Sequence, residues 1–293
     1  MLGHLRRGTL PDRVRWRFQQ YRDRRREAWW QAHRGEAGSF LYEVQPGLRM
    51  RLHLDSELCH LIYCRHFEWT ERQFVNAFLR AGDLFIDVGA NIGLFALIAA
   101  QRVGPGGRVF AFEPTPKVFS RLADNVRLNG FANVTCFQMA LSDQVGELSL
   151  APAREGFDAW NSLGTPSPAS GPVGERVPTT TWDEVVREQR LAGAVTMMKI
   201  DVEGWESRML TGGLKSLAGA DAPVLQVEFT DEAARSAGSS CRELYEMLEG
   251  IGYRLFVFNP ERRALVAEPL RDRYPYANLI AAKDPGLVNA RLQ

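Results

Sequence analysis

Three features of the sequence predict an α/β domain built on a doubly wound, mainly parallel sheet of seven strands, with a small N-terminal cap. Beyond Gly82, short apolar runs alternate regularly with segments of helical periodicity. Those runs are rich in Val, Ile, Leu and Phe without polar alternation, as strands covered on both faces require. Finally, Phe85-Ile86-Asp87-Val88-Gly89-Ala90-Asn91-Ile92-Gly93 reads as a strand that enters a glycine-bearing turn and then a helix.

In chain order, residues 13–34 form a basic helix with Val14, Phe18 and Tyr21 along one side, and residues 1–39 make up a basic helical extension. Residues 40–81 form the cap. Within it, short alternating stretches from Phe40 to Phe67 turn at Pro46-Gly47, and a helix runs from Glu71 to Arg80. Residues 82–293 form the main domain. Its strands are expected at 84–88, 108–112, 134–141, 196–200, 224–229, 253–258 and 278–282, with helices at 92–102, 116–129, 182–189, 205–217 and 241–249. Residues 143–180 break the rhythm with a hairpin-like 146–150 and a Pro/Gly/Ser-rich stretch, an inserted loop near the expected ligand face.

Composition narrows the function classes. The longest apolar run, Leu94 to Ala100, is far short of the roughly 20 residues of a membrane span, and no secretory leader is legible, so a cytoplasmic address is the default expectation. A formal charge of +1 offers no general footprint for a polyanion. The basic excess lies in residues 1–40, at +6, leaving the rest at −5. Nucleic acid is therefore not favoured as a partner. The segment 13–34 could instead lie on an anionic membrane or dock a lipid-linked glycan, or pack on the domain or a partner subunit. Cys59, Cys64, Cys136 and Cys241 make no disulfide framework.

The residues that carry chemistry sit where strands end. Gly89 and Gly93 let backbone approach a ligand closely, and Asn91 replaces the second glycine of the dinucleotide fingerprint. Asp87 would repel a pyrophosphate and attract a cation, which points to a cation-bearing nucleoside. Glu113, at the end of the second strand, is suited to accept from both ribose hydroxyls. Ser142 and Asp143, after the third strand, could hold an adenine edge.

These stations resemble class I S-adenosylmethionine-dependent methyltransferases. The ordered series Gly82-Asp83, Asp87 to Gly93, Phe112-Glu113-Pro114, Ala140 to Asp143, Lys199-Ile200-Asp201-Val202-Glu203-Gly204 and Val227-Glu228-Phe229 is similar to the FkbM-type family, over about residues 40–284. The resemblance implies a Rossmann-like methyltransferase fold, S-adenosylmethionine as cofactor, and O-methylation of a hydroxyl on a sugar, glycan or polyketide-like natural product. Trp205, where that family more often has a small residue, and the basic segment before residue 40 depart from the pattern.

Asp201 is the first candidate for the group that orients or deprotonates the hydroxyl, although it could instead only bond a loop or a ligand amine. Glu203 joins it or caps the following helix. Glu71, Trp160, Asn161, Ser162 and Glu228 are further candidates for the acceptor side; Glu68 and Glu71, just before the helix that precedes the sheet, either reach the pocket mouth or serve only as helix-start charges. All five histidines (His4, His33, His53, His60, His66) precede the sheet, so a histidine base would have to come from the cap. A divalent metal is possible around Asp201 and Glu228 but not indicated. The cluster Cys59-His60 and Cys64-Arg65-His66 invites zinc, but on a strand-like stretch with no second knuckle the spacing argues against it. Rival readings are methylation of a protein or RNA group, a non-catalytic binding module, and a nicotinamide oxidoreductase.

Overall fold

A computed structural model describes residues 12–64, 67–149 and 175–293 of the chain. Helix α1 (Asp12–His33) leads to a hairpin of β1 (Ser39–Gln45) and β2 (Leu48–His53), followed by α2 (Glu57–Cys64) and α3 (Trp69–Phe78). The stretch read as alternating from Phe40 to Phe67 is thus a hairpin followed by a helix. Ser56 starts that helix, its Oγ accepting from the Cys59 amide at 3.2 Å. Leu58, Leu61 and Ile62 then follow helical spacing, the signal that marks α2 in retrospect.

The main domain opens with β3 (Leu84–Val88), α4 (Leu94–Val103), β4 (Arg108–Phe112), α5 (Pro116–Leu128) and β5 (Val134–Phe137). Next come β6 (Ala140–Leu141), β7 (Gly146–Ser149) and β8 (Arg176–Thr180), then α6 (Trp182–Gln189), β9 (Met197–Ile200), α7 (Glu206–Thr211), α8 (Leu214–Ala218) and β10 (Val224–Phe229). The chain closes with α9 (Asp231–Ser236), α10 (Cys241–Gly250), β11 (Arg254–Asn259), β12 (Ala264–Ala267), β13 (Ala277–Ala282) and α11 (Pro285–Leu292).

The central sheet runs β12-β11-β13-β10-β9-β3-β4-β5, parallel from β10 to β5 and antiparallel beyond β10. It carries the seven expected strands and an eighth, β12, at one edge. Every residue of β3 and β9 is buried, so these central strands are covered on both faces. One apolar layer joins the cap hairpin, α3, α4 and α5 to one face; the other packs α6, α7 and α10 against the opposite face.

The expected third strand divides. Its first part stays in the sheet as β5, while Ala140–Leu141 leaves to pair with β8, which also pairs antiparallel with β7. The expected helix 205–217 likewise divides at Gly212-Gly213, the C-cap of α7 and the N-cap of α8, and Gly212 abuts the Ser142 carbonyl, where a Cβ would come within 1.9 Å. Helix α1 docks through its last turns: Trp30 is buried and Trp29 rings against Phe40 and Tyr63. No helix among the described residues is long and apolar enough to cross a membrane.

Candidate active site

Strand β3 has β4 on one side and β9 on the other, so the sheet reverses its winding there and a crevice opens at the carboxyl ends of these strands. A cavity of about 550 Å³ occupies it. The turn from Asp87 to Gly93 covers five residues between strand and helix, with Gly89, Asn91 and Gly93 all left-handed at φ 79°, 47° and 96°. Asparagine tolerates that conformation better than other non-glycine residues. Its amide donates to Glu113 Oε2 at 3.1 Å.

The two glycines do a different job from the one expected. A Cβ on Gly89 would lie 1.8 Å from the Asp201 carbonyl, and one on Gly93 would lie 2.7 Å from the Leu122 side chain. The missing side chains make room for protein, not for a ligand. Gly89 still borders the cavity, whereas Gly93, behind it, does not. Ser142 and Asp143 also lie off the cavity. Ser142 is fully buried, its amide donates to Thr180 and its hydroxyl to Asp143, and Asp143 pairs with Arg208 at 3.2 Å. The departure of Ala140–Leu141 from the sheet carries them away, and Met139, Ala140 and Leu141 form that wall instead.

Around β3 and β4 two carboxyls are buried. Neither oxygen of Asp87 has a partner in hydrogen-bond geometry. Burial pushes it up to about 6, against the pull of the Lys199 ammonium and the nearby Ala96 amide. Glu113 accepts from the Asn91 and Thr115 amides at 3.1 and 2.9 Å, yet burial pushes it up to about 7. The Thr115 side chain is a further hydrogen-bond donor to it.

The opposite half is a side-chain network. Lys199 is buried, its ammonium 2.5 Å from Asp201 Oδ2, 3.9 Å from Glu68 Oε2 and 4.6 Å above the Phe95 ring. Burial pulls this ammonium down, but Asp201, Glu68 and Asp87 outweigh it and hold it above the ordinary lysine range. Glu68 is a left-handed non-glycine residue at the start of α3 (φ 46°). Its Oε1 accepts from the Tyr276 hydroxyl at 2.9 Å and from Asn278 at 3.3 Å, while the buried Oε2 has no hydrogen-bond partner. Burial pushes Glu68 up to about 7, with Lys199 pulling it back and Asp201 adding to the rise. Burial likewise raises Glu71, also on the wall.

Asp201, Glu203 and Glu228 converge, one oxygen of each within 4.8 Å of the others, a set able to hold a divalent cation. Burial and the charge of Asp201 raise both Glu203 and Glu228. Thr230 donates to Glu228 Oε1 at 3.0 Å, and Oε2 is buried without a donor. Glu203 does not cap the following helix, which starts without a side-chain cap; Glu206, in its first turn, accepts instead from the Val202 and Gly204 amides of the preceding loop at 3.0 and 3.3 Å. Trp205 is buried at the start of α7, beneath the Arg208 guanidinium at 4.6 Å. Trp160, Asn161 and Ser162 lie outside the described residues.

The cavity therefore brings together Asp87, Gly89, Asn91, Glu113, Asp201, Glu203, Glu228, Glu71 and Glu68, and adds Lys199 and Tyr276, which sequence reasoning missed. Lys199 stands inside a quoted motif, and a lysine two residues before a strand-end carboxylate on the same face was its available signal. The pairing of Tyr276 with Glu68 spans 208 residues and offers none.

Residues 87–255 match the methyltransferase FkbM domain. The chain is 29% identical over 146 residues to the hexuronic acid methyltransferase AglP of Haloferax volcanii, covering 50% of this chain and 56% of that protein. It is 32% identical over 160 residues to the 31-O-demethyl-FK506 methyltransferase FkbM of Streptomyces tacrolimicus, covering 46% and 60%. It thus spans less than two thirds of either relative's length. The crystal structure of a methyltransferase FkbM from Methylobacillus flagellatus aligns with a TM-score of 0.44 at 15% identity, covering 77% of this chain and 52% of that one. With the domain match extending over more than half of its residues, the chain belongs to the FkbM-type family of S-adenosylmethionine-dependent methyltransferases.

Proposed function

We propose that the chain methylates a hydroxyl of an uncharged or cationic acceptor, such as a sugar, glycan or polyketide-like product. The observation that carries this reading is the pair of demands left open in the cavity: Asp87 has two buried oxygens without a donor, and Glu68 has one. A buried carboxylate without a partner is costly, and the cost is recovered when a ligand supplies the missing donors.

The residues present fit S-adenosylmethionine. Asp87 would hold its ammonium group, Glu113 its ribose hydroxyls, and Met139 to Leu141 with Phe112 the adenine side. When bound, the cofactor supplies an electrophilic methyl carbon on a sulfonium.

On the acceptor side, Asp201 is committed to Lys199, so its role is to fix that ammonium and order the floor of the site. Glu68 is better suited as the base. Its Oε2 accepts no hydrogen bond and lies 3.9 Å from the Lys199 ammonium, beyond hydrogen-bond reach, it is poised near neutrality, and Tyr276 and Asn278 fix its orientation. The acceptor hydroxyl donates its proton to Glu68 Oε2 as the oxygen gains the methyl group. Seven carboxyl residues face the cavity against one ammonium among its described lining residues, which favours an acceptor without negative charge.

Calorimetric titration with S-adenosylmethionine and S-adenosylhomocysteine, with NAD as control, tests the cofactor half. Mass detection of methyl gain on neutral sugars, amino sugars, uronic acids and hydroxylated natural products tests the acceptor half. Binding of the first two ligands and methyl gain on a neutral or amino-bearing hydroxyl compound are expected. Binding of NAD alone, or methylation confined to uronic acids, would overturn the reading.

A further inference from the structure

Away from the cavity, a second set of metal-ligating side chains meets where α1 packs on α2. The strand-like reading of residues 40–67 argues against zinc there, and the observed helix removes that objection: His60 and Cys64 stand one turn apart on one face of α2. Glu27 reaches the same point from α1, and the ligand atoms of Glu27, His60 and Cys64 lie within 4.8 Å of one another. His60 Nε2 is 3.1 Å from both oxygens of Glu27, and His60 Nδ1 is 3.1 Å from Glu57 Oε1. The imidazole is stacked on Trp30, ring centres 5.3 Å apart.

We propose that Glu27, His60 and Cys64 form a zinc site that fastens the basic helix α1 to the wall of the cavity. One carboxylate, one imidazole and one thiolate are a donor set suited to zinc. A zinc-bound histidine characteristically donates its other ring N–H to a carboxylate, and Glu57 stands at Nδ1 to receive it. Trp30 fixes the plane of the ring. Around a tetrahedral zinc the donor atoms lie about 3.5 Å apart, so side-chain shifts of roughly 1 Å complete the coordination.

The ion enters between Nε2 and Glu27, and two metal bonds replace their hydrogen bond. Cys64 releases its thiol proton and His60 its Nε2 proton to solvent, the imidazole binds as the neutral form that keeps its proton on Nδ1, and water takes the fourth position. His60 and Glu27 are 13% and 28% exposed, which leaves an entry path beside buried Cys64. Leu58 and Leu61 of the same helix line the cavity, so the ion would couple the arm to the pocket wall.

The test uses the full chain, reduced, freed of metal by a chelator and titrated with Zn²⁺ or Co²⁺ alone. One equivalent should bind, with a thiolate-to-cobalt band in the near ultraviolet and the strong visible bands of tetrahedral cobalt. Cys64→Ser should abolish the thiolate band, and zinc should raise the Tm of the wild type but not of this variant. Glu27→Gln, at a partly exposed position, and Glu57→Gln should each weaken zinc binding roughly tenfold or more. Circular dichroism confirms that the variants fold. Absence of stoichiometric binding by the folded wild type, or a thiolate band that survives Cys64→Ser or disappears in Cys136→Ser instead, would overturn the proposal. Cofactor binding lies outside this outcome, because no proposed zinc ligand lines the cavity.

Discussion

The two halves of the cavity are built by different means. Around β3 and β4, backbone does most of the work: strand ends and amides place Asp87 and Glu113, and the Phe112 carbonyl receives the amides of both Gly89 and Ala90. Around β9, β10 and the cap, side chains from four distant segments hold one another, with Lys199 at the centre of Glu68, Asp201 and Asp87. The first half leans on backbone, which is insensitive to most substitutions. The second can be retuned one side chain at a time.

That contrast can be broken most severely at Glu68. Glu68→Gln should lower turnover on an accepted hydroxyl compound by about 10²- to 10⁴-fold while leaving S-adenosylhomocysteine affinity unchanged. In the wild type the base must be ionised, so the rate should climb with pH through about 7, and Glu68→Gln should lose that dependence. If Asp201→Asn removes turnover and Glu68→Gln does not, the base is Asp201.

The next largest effect is on stability. Lys199→Met leaves Asp201, Glu68 and Asp87 buried without their cation, a loss on the order of 3–5 kcal/mol. Urea unfolding should show that loss at pH 8 and a smaller one at pH 5, where Glu68 and Asp87 take up protons. Equal stability of mutant and wild type at pH 8 would mean that the network does not depend on its centre.

On the backbone-built side, Asp87→Asn should weaken S-adenosylmethionine by about 1.5–3 kcal/mol, roughly 10- to 150-fold in Kd. Calorimetry reads the affinity and thermal melting the stability, which should not fall, because neither Asp87 oxygen accepts a hydrogen bond and the cost of its burial outweighs the pull of the Lys199 ammonium. Tight binding by Asp87→Asn would move the cofactor ammonium elsewhere.

The smallest effect is a gentle pH slope. Asp87, Glu113 and Glu206 have folded values of about 6, 7 and 7, above their unfolded ones. The folded protein therefore binds more protons between about pH 4 and 7, and its stability falls as pH rises through that window. The ligand-free Tm should be higher at pH 5 than at pH 8, and S-adenosylhomocysteine should recover part of the loss at pH 8. A Tm rising from pH 5 to 8 would contradict the burial of these groups.

Sequence reading succeeds where a local rule applies. The strands β3, β4, β9 and β10 are legible because doubly covered strands are uninterrupted apolar runs, and Asp87, Glu113 and Asp201 because a polar residue at the end of such a run faces the crevice. It loses ground where a segment's partner is remote. Helix α2 is hidden because its eight residues also fit an alternating pattern, and Ser142 leaves the cavity because β6 pairs with β8, 39 residues along the chain from Leu141 to Thr180. Nothing near Glu68 announces that Tyr276 and Asn278 will hold it.

By itself, then, the sequence determined the α/β class, the strand-to-helix turn at Asp87 to Gly93 and the acids that end the central strands, since periodicity and turn chemistry act over a few residues. Only the tertiary structure decided that Gly89 yields its space to the Asp201 carbonyl, that Lys199 claims Asp201, and that Glu68 presents a buried, unpartnered oxygen to the cavity. Those outcomes rest on burial and on charges brought within a few ångströms by the fold, and electrostatics in a desolvated crevice depends on neighbours in space, not in sequence.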